Sequence, residues 1–438
     1  MHTFVQPTRV LYPPVPLVQT RRPETAVATP SLRSSFSWSL AGNVVYAASQ
    51  WGMLVALAKL GSPEMTGQLS IALALTTPVV MFSNLQLRVV QATDAADRNP
   101  FATYLSLRAV TSALALAAIG ALTVLGGYRR EIVQVVMALA LTKVVDSLSD
   151  VAYGHLQKHE RVRRIAQSMI LRGALALASF AVAIRLTHNL LAAIFAMCAA
   201  WLSVLLAFDL PACASIPGAK VRLNLGDAAR IARLSLPLGI SMCLVSLGLN
   251  VPRYFIEARM GEHALGVFTA LSSIYAAGTL VIGAAGQSVI ARLSRLVERN
   301  ERRRFFAILG SLLAGAALLG ASGLAVALLA GHACLVAVFS PAYAQDVPVF
   351  AWLMAAAGVS YCASVLGFGL NALRCFNQQA LLFGAVCAAT AAVAWWAVPR
   401  HGLAGGAASL VAGAIVQLVG TALLLFLRLR APAVSEAA

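Results

Sequence analysis

Apolar runs of about 20 residues recur from residue 36 to residue 428, separated by short turns. A run of that length is what an α-helix needs to cross the hydrocarbon core of a bilayer, whereas membrane strands are shorter and alternate. The chain is 60% hydrophobic and 11% charged, against roughly 45–50% and about 25% for a soluble domain. The class is therefore all-α and integral to the membrane. About twelve spans are expected, at roughly 36–60, 67–92, 102–126, 131–157, 163–186, 189–211, 230–257, 263–291, 305–330, 346–373, 379–398 and 402–427. They fall into an N-terminal six-helix lobe (36–211), a basic linker (212–229) able to lie on the membrane surface, and a C-terminal six-helix lobe (230–428). Residues 1–35, rich in proline and without an unbroken apolar core, read as a disordered cytoplasmic tail, and 429–438 as a second tail.

Charge fixes the expected orientation. With both termini in the cytoplasm, the outer turns hold only Lys59, Arg129, Arg130, Arg185, Arg253, Arg259 and Arg400. Nearly all other lysines and arginines fall on the inner side, as the positive-inside rule requires. The formal net charge of +17 is thus a topology signal with anionic membrane lipid as its partner, not a nucleic-acid footprint. A weak internal repeat relates LAKLGSPEMTGQLSIAL (57–73) to FIEARMGEHALGVFTAL (255–271), and each segment lies near the opening of a six-span half.

Several chemistries are absent from the pattern. No lysine precedes a Ser or Thr, so there is no phosphate-binding GK[ST] loop, and neither HExxH nor GxSxG occurs. The seven cysteines form no CxxC pair and read as small apolar side chains. His155 and His159 have metal-binding spacing but no third ligand nearby, so a solvated helix end is expected and no metal or cofactor is predicted.

Charge inside the spans is sparse and costly, which makes each such residue a functional candidate. Lys143, Asp146 and Asp150 share one face of span four, and Arg172 lies in span five. Counting residues from the turn puts Asp150 and Arg172 at equal depth, and Lys143 and Asp146 are three apart. Two ion pairs are therefore expected, bracing the first lobe or switching between states. A second hairpin carries Asn84 and Arg88 in span two and Arg108 in span three, with Asp94 and Asp97 in the loop between them. Both arginines are expected to remain available for an anion or to reach the lipid headgroups. A third stripe holds Ser246, Asn250, Arg253 and Glu257, where Pro252 can kink span seven and Arg253 can pair with Glu257. Arg292 and Arg374 add inner-side cations in the second half.

The stretches SLAGNVVYAASQWG (39–52), FSNLQLRVVQATD (82–94), DSLSDVAYGHLQKHER (146–161), LSLPLGISM (234–242) and NVPRYFIE (250–257) resemble the Wzx-type polysaccharide and O-antigen flippases. That group is a branch of the multidrug/oligosaccharidyl-lipid/polysaccharide (MOP) exporter superfamily. The likeness spans nearly all of residues 36–428. It implies two six-helix lobes with alternating access, a bacterial inner-membrane location and no enzymatic activity. It also implies transfer of a polyprenyl-pyrophosphate-linked oligosaccharide from the cytoplasmic to the periplasmic leaflet, with polysaccharide polymerase machinery as a further partner. The cationic lumen this requires is assigned to Arg88, Arg108, Arg253, Arg292 and Arg374, with Asn43, Asn84 and Asn250 among the polar residues lining it. The drug-exporting branch typically carries an acid in its first helix, and here no Asp or Glu lies between Glu24 and Glu64. A cation-coupled drug exporter, using Asp146 and Asp150, and a membrane-embedded glycosyltransferase or ligase remain the alternatives.

Overall fold

A computed structural model describes residues 32–93, 100–216, 225–299, 301–373 and 375–430. The expected N-terminal tail, most of the basic linker, the C-terminal tail, Asp94, Asp97 and Arg374 lie outside these residues. The described chain is helical throughout: α1 (Leu32–Leu60), α2 (Pro63–Ser83), α3 (Leu87–Thr93), α4 (Phe101–Leu125), α5 (Arg130–Lys158), α6 (Val162–Thr187), α7 (Leu190–Val204), α8 (Leu210–Ala214), α9 (Leu225–Glu298), α10 (Arg302–Val338), α11 (Val347–Ala372), α12 (Phe376–His401) and α13 (Leu403–Arg430). One turn of π-helix, Leu205–Asp209, joins α7 to α8.

Eleven helical stretches are long and apolar enough to span a membrane. One of them, Ser235–Gly286, is 52 residues long and would be about 78 Å if straight, far more than a hydrocarbon core of about 30 Å. It turns back at Gly261, whose φ of 80° and ψ of −175° are open to glycine and strained for other residues. Divided at Gly261, this stretch is long enough for two crossings, which gives twelve candidate spans among the described residues. Pro237 and Pro252 lie inside α9, where only Gly261 leaves helical geometry. The expected span 67–92 is instead interrupted at Leu85 and Gln86, with φ of 48° and 51°. The short turns are capped by their own sequence. Ser62 accepts from the Met65 amide with Pro63 in the first turn, and the Asn189 side chain accepts from the amides of Leu191 and Ala192.

The two repeat segments meet each other. α2 packs along α9, so closely that a Cβ on Gly67 would run into the Glu262 carbonyl and one on Gly266 into the Pro63 carbonyl. Around this contact Thr269 donates to Ser70 at 2.5 Å, His263 meets Glu64 at 2.6 Å, Gln68 donates to Glu262 at 2.9 Å, and Arg129 pairs with Glu262. Within the first half α1 lies against α6, and within the second half α13 lies against α11 and α12.

Candidate functional site: a cationic cavity between the halves

Next to the α2–α9 contact is a cavity of about 420 Å³. Its walls come from α1 (Tyr46, Gln50, Trp51), α5 (Lys143), α7 (Trp201) and α9 (Arg253, Thr269, Ser272, Ser273), with apolar residues between them. Trp51 on α1 donates to Ser273 on α9 at 3.3 Å, closing one side. A second cavity of about 380 Å³ shares Ala276 and Leu280 with the first and lies between α9, α11, α12 and α13. Its lining has no carboxylate, lysine, arginine or histidine, only hydroxyls such as those of Thr279, Ser360, Thr390 and Tyr275 and the amide of Gln417 among apolar residues.

The charges around the first cavity are partnered unequally, and not as helix counting suggests. Asp150 does not meet Arg172. It lies 3.5 Å from Arg108 and 3.6 Å from Arg88. Asp146 does not meet Lys143. It accepts from Arg172 at 2.8 Å. The reason is an offset of one helical turn: Arg172 comes level with Asp146, leaving Asp150 to the arginines of the neighbouring hairpin. Arg108 is fully buried, and it also donates to Asn84 at 2.5 Å, which accepts from Ser147 as well. Arg88 donates to Gln157 at 3.1 Å and lies over the Tyr153 ring. These two arginines, expected to be available for an anion, are held by a carboxylate, and Asn84 accepts from Arg108.

Two cations differ. Among the described residues Lys143 has no acidic partner. Its ammonium lies 6.0 Å from the centre of the Trp201 ring, on which Arg172 is also stacked at 4.6 Å. Arg253 does not pair with Glu257. It donates to Asn250 at 3.0 Å, and Asn250 is itself fixed by donation to the Ser246 carbonyl at 2.8 Å. Both cations line the same cavity. Arg292 and Asn43 are exposed and outside its lining, and Asn43 bonds back to the Ser39 carbonyl of its own helix.

A buried polar network that sequence reasoning overlooked stands behind the cavity wall. Asp209, fully buried in the π-helical turn, accepts from Ser168 at 2.5 Å. Ser168 and the Tyr153 hydroxyl are 2.7 Å apart, and Arg172 donates to that hydroxyl at 3.4 Å. The signal was present as one acid in the apolar run LLAFDLP (205–211), but it sits at a span end, where an acid ordinarily reaches water.

Residues 32–297 match the family described as polysaccharide biosynthesis protein. The chain belongs to that family. The capsular polysaccharide biosynthesis protein CapF of Staphylococcus aureus is 23% identical over 394 residues, covering 88% of this chain and 97% of CapF. Among solved structures, the lipid II flippase MurJ in an inward closed conformation superposes with a TM-score of 0.71 at 10% identity, over 89% of this chain and 87% of MurJ. An inward-facing multidrug resistance MATE family transporter of the MOP superfamily gives 0.64 at 15% identity, over 91% and 96%. Likeness at these identities is likeness of fold. This member of the polysaccharide biosynthesis family is a multi-pass membrane protein with the fold of MOP-superfamily transporters.

Proposed function

We propose that the protein flips a polyprenyl-pyrophosphate-linked oligosaccharide, an O-antigen or exopolysaccharide repeat unit, from the cytoplasmic to the periplasmic leaflet of the bacterial inner membrane. The observation that carries this reading is the pair Lys143 and Arg253, two cations without acidic partners among the described residues, on the walls of one cavity between the halves. A pyrophosphate is the part of such a lipid that cannot enter hydrocarbon alone, and a cation in a low-dielectric cavity gains most from meeting it. Arg253, held by Asn250, offers a fixed fork, while Lys143 offers a mobile point charge. The uncharged second cavity suits the sugars, and the polyprenyl tail stays in lipid. The two six-helix lobes, both termini in the cytoplasm, and alternating access belong to this proposal. The pairing of Arg88 and Arg108 with Asp150 moves the pyrophosphate site from those arginines to Lys143 and Arg253. Family membership and the kinship with CapF support the substrate class.

The test is transfer of a fluorescent lipid-linked oligosaccharide in proteoliposomes. Lys143→Met combined with Arg253→Met is expected to abolish transfer while the protein still inserts, and undiminished transfer by the double variant overturns the site. Efflux of a lipophilic cation by the wild-type protein would instead favour the drug-exporter reading, which two unneutralised cavity cations oppose.

A further inference from the structure

Asp209 has no part in the site described above, yet its position is costly. It is fully buried, and its Oδ2 has no hydrogen-bond partner. An ionised carboxylate in that setting is heavily penalised, and the ordinary outcome is that the group takes a proton. The groups facing it are Tyr153 and Ser149 from α5, Ser168 and Arg172 from α6, and Cys213 from α8. Nearby, Arg164 stacks over Phe208. Arg172 is the cation bound into the same network, and it is already held by Asp146. Its own Nε is also buried without a partner. One network thus contains an unused acceptor position and an unused donor, an arrangement that calls for an explanation.

The network ends at the cavity. From Asp209 it runs through Ser168 and Tyr153 to Arg172, then to Asp146, onto which the cavity-lining Tyr46 hydroxyl converges at 3.5 Å. Lys143 is three residues before Asp146 on α5, within reach of it along the helix, and shares the Trp201 ring with Arg172. We propose that Asp209 is a proton-carrying carboxyl whose protonation sets which acid Arg172 pairs with, and thereby whether Lys143 presents an unneutralised charge to the cavity. With the proton on, Arg172 belongs to Asp146 and Lys143 is open to an anion. When the proton leaves Asp209 along the Ser168 and Tyr153 hydroxyls for solvent, a carboxylate remains, Arg172 is drawn toward it, and Asp146 turns to Lys143. Asp209 is a positioning residue that acts through Arg172. This inference rests on the anion-binding reading of the cavity and adds a proton-controlled release to it.

Two measurements on the full-length protein in nanodiscs test it. The first is infrared difference spectroscopy across pH, where the band of a protonated carboxyl is expected in the wild-type protein and lost in Asp209→Asn. The second is affinity for a short isoprenyl pyrophosphate. Wild-type affinity is expected to fall about tenfold from mildly acidic to mildly alkaline buffer, the worth of one charge-assisted contact. Asp209→Asn, which mimics the protonated form, is expected to hold the acidic-side affinity throughout, and Asp209→Glu to restore the dependence. An unchanged carboxyl band in Asp209→Asn, or a wild-type pH dependence in that variant, overturns the inference. A band that behaves as stated in a protein that binds no pyrophosphate at any pH upholds the proton on Asp209 and removes the proposed function instead.

Discussion

Which acid neutralises which base in the first half can be decided by double-mutant cycles. Replacing Asp150 by Ala leaves Arg108, fully buried, facing Asn84 with no carboxylate. Breaking a buried pair from one side costs about 3–5 kcal/mol. Asp150 is itself 33% exposed at its side chain, so the lower end, about 3 kcal/mol, is the expected loss. That is a large fraction of a typical stability of about 5–15 kcal/mol, and it is readable as a drop of several degrees in the unfolding midpoint of the detergent-solubilised protein. Adding Arg108→Met removes the orphaned cation and is expected to recover most of the loss. Adding Arg172→Met is expected to deepen it, because that change orphans Asp146 as well. Coupling is thus expected to be large for Asp150 with Arg108 and below about 0.5 kcal/mol for Asp150 with Arg172, as for sites sharing no partner. Rescue of Asp150→Ala by Arg172→Met and not by Arg108→Met would refute the pairing described here.

Other expectations are simpler. Asp146→Ala destabilises by about 3 kcal/mol and is rescued by Arg172→Met, measured by the same midpoint. Gly261→Ala costs about 1–3 kcal/mol in midpoint stability, because φ of 80° strains a residue with a Cβ. Gly67→Val drives a side chain into the Glu262 carbonyl and is expected to prevent closure of the α2–α9 contact, seen as loss of an engineered cysteine crosslink across it. His263→Gln, by contrast, alters a contact with Glu64 whose members are 61% and 51% exposed, and its midpoint is expected to shift by less than about 1 kcal/mol equivalent.

Fold class and the number of crossings were legible because both follow from hydropathy and length, which a bilayer enforces directly. The reversal at Gly261 was legible as a break between two apolar runs. The interruption at Leu85 and Gln86 was not, since neither residue type announces a left-handed backbone. The ion pairs were misassigned for a geometric reason. Equal residue counts from a turn give equal depth only when the two helices leave it symmetrically, and Glu160 in the turn between α5 and α6 has a φ of 56°. A slip of four residues, about 6 Å along a helix axis, is enough to give Arg172 to Asp146. Nor does a hairpin argument see third helices: Arg108 reaches Asp150 from α4. Arg253 stands out in the sequence as a cation on a polar stripe and lines the cavity, whereas the helical spacing of Lys143 and Asp146 suggests a pair that does not form. Asp209 was hidden by position, since burial at a span end depends on the π-helical turn and on the helices packed around it.

The reciprocal contact of Pro63 with Gly266 and of Gly67 with Glu262 gives the molecule something like a homodimer interface inside one chain. In such a self-complementary seam each half supplies both the knob and the socket. Lateral sliding would drive both knobs into backbone at once, so the halves can part there only by tilting away from each other, and both contacts open together. The seam also ties the two repeats to each other as they change: a side chain enlarged on one must be answered by space on the other. Two segments held in this way are free to differ around the cavity, where Arg253 has no counterpart in the first, but not along the line where they meet.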